Sequence, residues 1–538
     1  MMMKKNLRPH VSPQSNVRGL MRLLPKALAL ALLLFCVQPL ARAQGAKLPS
    51  PDRVVGDYLK AVGGKKRVAA LHNATYEWVV QNPDHSESRA RVLTKSPASV
   101  RSEISAGGVE AVTAVNPRMA WQLASNSPVK TLTGSEAFNA KLQALLGAGR
   151  LLDFKKMKVL ARTVGTEQIG DESAYVIEFS TREGGHVRFS FGSSSKLLLK
   201  TDDTAGGAYL YGDYRAESGL LEPHRATHES GGKVDANYIL ERVQYNTGLA
   251  DTLFEPPADS TLDIPALLRD LAKNQDDTDK RINDYTFTQK LTEREISDKG
   301  EVKKEKVSVY EVYPILDYGW VQKLISENGV ALPAERAAKE QKRVAEELEK
   351  AEREAPKLKE KRERQRAERK AKRKAKTGQA GDGEEDDDVD IATFLRACEF
   401  VSPRREHFRE RDVIVFDFRP RAGFKPSNTG ESIVSKLSGV IWVDPAERQV
   451  VRLEARLVDS FKVGGGLLAS IKSGSAFVFE QTRLDDGVWL PRYSQVNVSA
   501  RVMLFAGMTV NETQEFSDYK RFSTKTGEDK LDAPKEKP

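Results

Sequence analysis

Regular patterning begins at Ser50. Ser50-Pro51-Asp52 offers an N-cap hydroxyl, a proline at the first helical position and an acid in the first turn. Val54, Val55, Tyr58, Leu59 and Val62 then recur at helical spacing, and Gly63-Gly64 ends the helix. A short helical stretch follows over 65–71. From Ala74 the period changes to two, which predicts strands over 75–80, 89–93, 100–104, 110–115 and 119–123. A helix over 135–146 interrupts them, with Phe138, Leu142, Leu145 and Leu146 on one face. Strands resume over 174–180, 187–191, 196–201, 209–215, 224–229 and 238–245, separated by Gly, Asp, Asn and Ser. The pattern is a long antiparallel meander with helices against one face.

Asp251 to Pro257 stops this unit, and the plan restarts. A helix over 265–282 carries Leu267, Leu268 and Leu271 on its apolar side. Strands are predicted over 285–293 and 302–312, then, after a helical insertion over 334–375, at 413–418, 436–443, 450–457, 475–482, 492–499 and 508–519. Two segments share one spacing: Arg215, Gly219 and Pro223, and Arg483, Gly487 and Pro491, about 268 residues apart. Each sits between strands, and the pairs close on Val243-Gln244-Tyr245-Asn246 and Phe516-Ser517-Asp518-Tyr519. This predicts an internal duplication. The expected class is α+β, mostly antiparallel β, in two related domains over 44–260 and 261–525. The second holds a charged helical insertion and acidic linker over 334–390, and a polar tail, expected to be disordered, occupies 526–538.

Charge changes the picture at the N-terminus. Residues 1–43 hold seven Lys or Arg and no acid, then a mostly Ala and Leu run over 27–40, then Ala41-Arg42-Ala43. That is the layout of a cleaved signal peptide, its apolar run of about 14 residues falling short of the ~20 a spanning helix needs. Met21 stands as an alternative start, since the basic segment is long. Phe35 precedes Cys36 where a bacterial lipidation site wants Gly, Ala or Ser. The expectation is therefore an exported protein of the periplasm or cell envelope. Its remaining cysteine, Cys398, has no partner for a disulfide. The net charge is +9, of which the leader holds +7, leaving +2 for the rest. Residues 357–376 carry 12 Lys or Arg against three Glu, and residues 382–390 carry seven Asp or Glu. These blocks nearly cancel, so the folded parts are close to neutral, and an exported chain of this kind is not expected to meet nucleic acid.

Candidate chemistry is sparse. His224 and His228 form an H-x-x-x-H pair, but in a strand they stand roughly 13 Å apart, too far to share an ion. His72, His85, His186 and His407 are scattered. Cys398 lies nine positions from His407 with no orienting Asn or Asp. Gly464-Gly465-Gly466 and Lys472-Ser473 lack the spacing of a phosphate loop, since Ile471 stands where Gly is needed. The run Asp382 to Asp390 lacks the glycine and terminal Glu of a calcium loop. No G-x-S-x-G or G-x-G-x-x-G is present. The expectation is a non-enzymatic protein with no catalytic residue, metal site or cofactor.

Three short motifs carry a family resemblance. Pro97-Ala98-Ser99-Val100-Arg101-Ser102-Glu103 looks like a Pro-x-x-x-Arg-x-Glu strand. Val115-Asn116-Pro117-Arg118-Met119-Ala120-Trp121 looks like the turn and Trp-bearing strand after it, and Asp251 to Pro257 like a closing Asp-x-x-Phe-x-x-Pro. With the order of elements, these resemble the LolA/LolB-like superfamily of periplasmic lipoprotein carriers over residues 50–260. One departure is Ser96, preceded by Lys95, where carriers have an Arg before the strand Pro. The resemblance implies a half-open β-barrel on helices enclosing an apolar cavity for acyl chains, in each of the two domains if the duplication holds. It implies a binder or carrier of lipid or acylated ligands, or an envelope sensor. Candidate ligand-binding residues are the large apolars Trp78, Trp121, Phe179, Phe189, Phe191, Phe418, Trp442, Phe477, Phe479 and Trp489. A different class of function is an interaction module. There the insertion over 334–390 docks an envelope protein or an anionic membrane surface, where each basic side chain contributes ~1 kcal/mol.

Overall fold

The computed structural model describes residues 48–521 except 126, 205, 297–301, 316–318, 376–390, 464–468 and 503–507. The expected signal peptide over 1–43 with Cys36, the run Gly464-Gly465-Gly466, the acidic run 382–390 and the tail 526–538 lie outside the described residues. Ser50 caps α1 (Pro51–Ala61) by accepting from the Arg53 backbone N–H, as its sequence predicts. Val54, Val55 and Leu59 of α1 are buried, each contributing about 1.5–3 kcal/mol of apolar burial. A single turn, α2 (Lys65–Ala69), leads into the first sheet.

In chain order this sheet takes β1 (Asn73–Gln81), β2 (Glu87–Lys95), β3 (Ser99–Ala106), β4 (Val109–Val115), β5 (Ala120–Ala124) and β6 (Lys130–Thr131). After α3 (Gly134–Ala148) come β7 (Leu160–Ile169), β8 (Glu172–Ser180), β9 (His186–Gly192), β10 (Leu198–Asp202), β11 (Ala208–Glu217), β12 (Leu220–Ser230) and β13 (Lys233–Tyr245). The spatial order runs β6 to β1, then β13 down to β7, so the first strand pairs with the last and the sheet stays open at β6 and β7. Antiparallel pairing of β1 with β13 sets Ala74 opposite Tyr245. Helix α3, which links the edge strands β6 and β7 in sequence, lies against β2 to β5 and β9. There Leu142 and Leu146 meet Val54, Val55 and Leu59 of α1 and Phe154, Phe179, Phe189 and Phe191.

The second half begins with α4 (Ile264–Arg281), followed by β14 (Tyr285–Ile296), β15 (Val302–Ile315), β16 (Gly319–Glu327), β17 (Val330–Ala331) and α5 (Ala334–Ala375). Next come α6 (Ile391–Ala397), β18 (Cys398–Phe408), β19 (Arg411–Pro420), α7 (Thr429–Val434), β20 (Leu437–Asp444) and β21 (Gln449–Leu457). The chain ends its sheet with β22 (Phe461–Val463), β23 (Ala469–Ile471), β24 (Ala476–Arg483), β25 (Trp489–Val502) and β26 (Met508–Arg521). The order is β17-β16-β15-β14-β26-β25-β24-β21-β20-β19-β18, again open and again with first strand beside last. The two hairpins of shared spacing, β11–β12 and β24–β25, hold equivalent places, each starting one strand away from that first-to-last pair. Gly219 and Gly487 both turn with positive φ, at 82° and 85°, where a side chain would be strained. The molecule is mostly antiparallel β in two large open sheets backed by helices.

Strands β19 and β20 are buried on both faces. Ile414, Phe416, Phe418, Ile441 and Val443 pack under α4, α6 and α7. The opposite face, Val413, Val415, Val440 and Trp442, meets Ala114, Met119, Trp121 and Val129 of the first sheet. One apolar seam therefore joins the halves. Burial on both faces explains the unbroken apolar run over 413–416.

The insertion differs from the sequence expectation. A helix so rich in Ala, Glu, Lys and Arg predicts exposure on nearly all faces, but Val344 and Ala351 are 3% and 0% exposed. With Leu348 they pack on Val321 and Tyr313. Glu340 accepts from the Leu324 N–H at 2.9 Å, and Arg343 donates to the Gln322 carbonyl. Strand β16, on which the helix docks, lies beyond what the alternation predicts. Proline inside a helix predicts a kink or a break, yet the helix runs on through Pro356: the missing N–H removes one backbone hydrogen bond without ending a 42-residue helix.

Candidate functional site

A half-open cavity of ≈ 910 Å³ lies where the two halves meet. Its first-half wall comes from α3, from the irregular segment 151–159 and from the turn 181–185 between β8 and β9. Its second-half wall comes from the end of β21, from the turn 472–474 and from β25 and β26. The segment 151–159 is a run of hydrogen-bonded turns that holds Leu151, Asp153 and Lys158 at φ 58°, 50° and 61°. Non-glycine residues take that region at a cost and concentrate at functional sites. Phe154 anchors the segment, its ring 5.6 Å and nearly perpendicular from Phe179.

The lining divides by chemistry. Phe138, Leu142, Leu145, Phe154, Met157 and Leu160 supply an apolar wall. Lys141, Lys155, Lys156, Lys158, Arg162, Arg182, Arg456 and Lys472 supply cations, against the carboxylates of Asp52 and Glu183. Burial, Lys472 and Arg182 together hold the Lys158 ammonium below the usual lysine range, with Arg456 adding to the effect and Glu183 opposing it. Burial lowers Lys141 in the same direction. The arrangement suits an elongated ligand with an apolar body and an anionic end.

None of the ten candidate residues read from sequence lines this cavity. Phe179, Phe189 and Phe191 lie in the first core, and Phe418 in the second. Trp121, Trp442 and Trp489 lie in the seam. Trp121 donates from Nε1 to the Phe254 carbonyl at 3.0 Å, and Trp489 to Glu447 Oε2 at 2.7 Å. Trp78 is half-buried edge-on to Tyr238, and Phe477 and Phe479 stack on each other half-buried. The cations that do line the cavity come from α3, from 155–162, from the β8–β9 turn, from the end of β21 and from the turn after β23, and no motif marks them.

The motifs behind the family resemblance do come together, as a clasp on the segment that closes the first half. Lys95 donates to the Leu249 carbonyl at 2.8 Å and to Asp251 at 2.6 Å. Arg101 donates to the Leu253 carbonyl at 2.9 Å while pairing with Glu103. Asn116 and Trp121 both donate to the Phe254 carbonyl, and Arg118 pairs with Glu255. Beside them a buried ionic network crosses the seam. Arg404 donates to Glu406 at 2.6 Å, to Asp417 at 3.0 Å and to Thr131 of the first half at 2.6 Å.

Elsewhere, the scattered histidines His186 and His407 sit beside Glu178 and Asp412. Burial pushes the Cys398 thiol up to about 12, against use as a nucleophile. Among the described residues no group of three or more His, Cys, Asp or Glu could hold a metal ion. No described helix is long and apolar enough to cross a membrane.

No family model and no curated protein matches the chain. Among solved structures it is similar to a LolA superfamily protein from Nitrosomonas europaea, at 17% identity and TM-score 0.29, over 39% of this chain and 99% of that one. It is similar to an outer membrane lipoprotein-sorting protein domain from Vibrio parahaemolyticus, at 13% identity and TM-score 0.27, over 38% and 96%. The MucA/MucB complex of Pseudomonas aeruginosa matches over 87% of this chain and 99% of that one, at 7% identity and TM-score 0.17. The resemblance read from sequence thus recurs among solved structures, at TM-scores that assign no function.

Proposed function

We propose that the protein binds a lipid-like amphiphile in the cavity between its two halves, as a non-enzymatic carrier or sensor of the periplasm or cell envelope. The observation that carries this is the cavity itself. Its volume lies in the range of ligand sites, about 300–1,000 Å³, and it joins an apolar wall to a cationic one. The leader-like N-terminus supports export. The equivalent places of the two hairpins support a duplicated domain plan over 44–260 and 261–525. A ligand shared between the halves replaces the separate cavity in each barrel that the resemblance implies.

Native mass spectrometry with solvent extraction, on protein purified without detergent from Gln44 onward, tests this. The expected result is one bound amphiphile per chain. An apo mass that also refuses added phospholipid and acylated peptide overturns it. A second reading, docking of a protein partner, draws support from α5, which continues from its docked residue Ala351 to Ala375.

A further inference from the structure

The eight cations of the cavity fall into two sets. Lys155 pairs with Asp52, Lys156 with Asp153 and Arg162 with Glu178. Among the described residues, Lys141, Lys158, Arg182, Arg456 and Lys472 make no ion pair. Three of these five are aimed by neutral oxygens. Lys158 donates to the Ser473 carbonyl and hydroxyl at 2.8 and 2.9 Å. Arg182 donates to the Ser499 and Thr509 hydroxyls at 3.0 and 3.2 Å, and Arg456 to the Pro117 carbonyl at 3.0 Å. Such bonds orient a cation and leave its charge uncancelled. The Lys141 and Lys472 ammonium groups have no acceptor among the described residues. With Glu183 beside them, the lining groups keep a local excess of about four positive charges; Glu454 and Asp417 also act on Lys141 but are paired with Arg452 and with Arg118 and Arg404.

This concentration is not a consequence of composition. Lys141 stands on α3, Lys158 ends the irregular segment, and Arg182 sits in the β8–β9 turn. Arg456 is on β21, and Lys472 follows β23. The fold thus brings five separate segments from both halves to one place, where the charges repel each other in a partly desolvated cleft. An anion relieves that cost while every one of the five keeps its charge. A carboxylate carries one charge and satisfies one guanidinium, whereas a phosphate monoester or diphosphate offers two or more charges and several acceptor oxygens, enough for two arginines and several lysines.

We propose that Lys141, Lys158, Arg182, Arg456 and Lys472 form a phosphate-recognition site at one end of the cavity, gripping the head of the ligand from both halves. This deepens the amphiphile reading and rests on it for the ligand's tail alone.

The test uses three probes below any micellar concentration, titrated calorimetrically into the exported protein: dodecyl phosphate, dodecyl glucoside and pyrophosphate. Dodecyl phosphate is expected to bind at least tenfold tighter than the glucoside, and pyrophosphate to bind alone and to compete. The double variant Lys141→Gln, Lys472→Gln is expected to lose at least tenfold for dodecyl phosphate and less than twofold for the glucoside. Its ligand-free melting temperature is expected to equal or exceed that of the parent, because neither ammonium has a partner to lose. Equal affinity for the two chain probes, with no pyrophosphate binding, overturns the phosphate site and leaves the amphiphile reading standing. Pyrophosphate binding without either chain probe overturns the amphiphile reading and makes free phosphate compounds the source of the anion. A ligand-free variant that melts several degrees lower assigns these lysines to the fold and overturns the site.

Discussion

At the scale of residues, Arg404 is a costly position to lose. It is 2% exposed and holds two buried carboxylates, Glu406 and Asp417, at hydrogen-bond distance. Truncation to alanine leaves both without that partner in the seam, and removing one member of a buried pair costs about 3–5 kcal/mol. Urea denaturation of Arg404→Ala is expected to show a loss of that size. A loss under 1 kcal/mol means water reaches the network. His228 gives a pH prediction. Burial alone lowers its pKa, but hydrogen bonds and charge from Asp203 at 2.7 Å and Asp235 at 2.5 Å outweigh burial and raise it. A raised folded pKa stabilises fully below the unfolded value of ~6.5, and the contribution is lost as pH rises through the folded value. The stability difference between the parent and His228→Gln is therefore expected to shrink from pH 5.5 to pH 8.5. A difference independent of pH contradicts it. Sequence marked His228 only as half of an H-x-x-x-H pair, without Asp203 or Asp235, and did not mark Arg404, because a buried Arg in Arg404-Arg405-Glu406 is written with the same letters as an exposed one.

At the scale of elements, the insertion helix is the clearest departure. Val344, Leu348 and Ala351 recur every three or four residues, so the docking stripe was present in the sequence but was outnumbered by charge. Val344→Asp is expected to free the helix from β16. Hydrogen exchange over 334–351 should quicken at least tenfold, while exchange in β19 and β20 stays unchanged. Unchanged protection in the helix means it holds by its own propensity. The strands that alternation missed have physical reasons. In β7, the inward positions are Ala161, Thr163, Gly165, Glu167 and Ile169, mostly small or polar because the strand is a sheet edge. In β18, the inward positions nearest the seam are Arg404 and Glu406, so burial there is ionic and leaves no hydrophobic period. Helix α1 was legible to the residue because its cap, proline and apolar spacing are all local.

For the whole molecule, the seam decides behaviour. Trp121 and Trp442 are both fully buried against the opposite half, so separating the halves exposes apolar surface as well as the Arg404 network. Unfolding followed by tryptophan fluorescence and by far-ultraviolet circular dichroism is expected to give one coincident transition. Two separated transitions mean the halves fold independently. A ligand gripped from both sides stabilises the pair together, by about 2.7 kcal/mol at a free concentration one hundred times its dissociation constant.

What the sequence determined by itself is what depends on neighbours in the chain. The antiparallel meander, the helix starts, the hairpins at Gly219 and Gly487 and the clasp motifs all follow from periods, caps and turn residues within a few positions of one another. The tertiary structure alone decided which face of β19 meets the first sheet, which large apolars are core and where the cavity lies. It alone gathered Lys141, Lys158, Arg182, Arg456 and Lys472 from positions up to about 331 residues apart. Charge acts through space and with burial, and neither the distance between two side chains nor the water between them is written in their order along the chain.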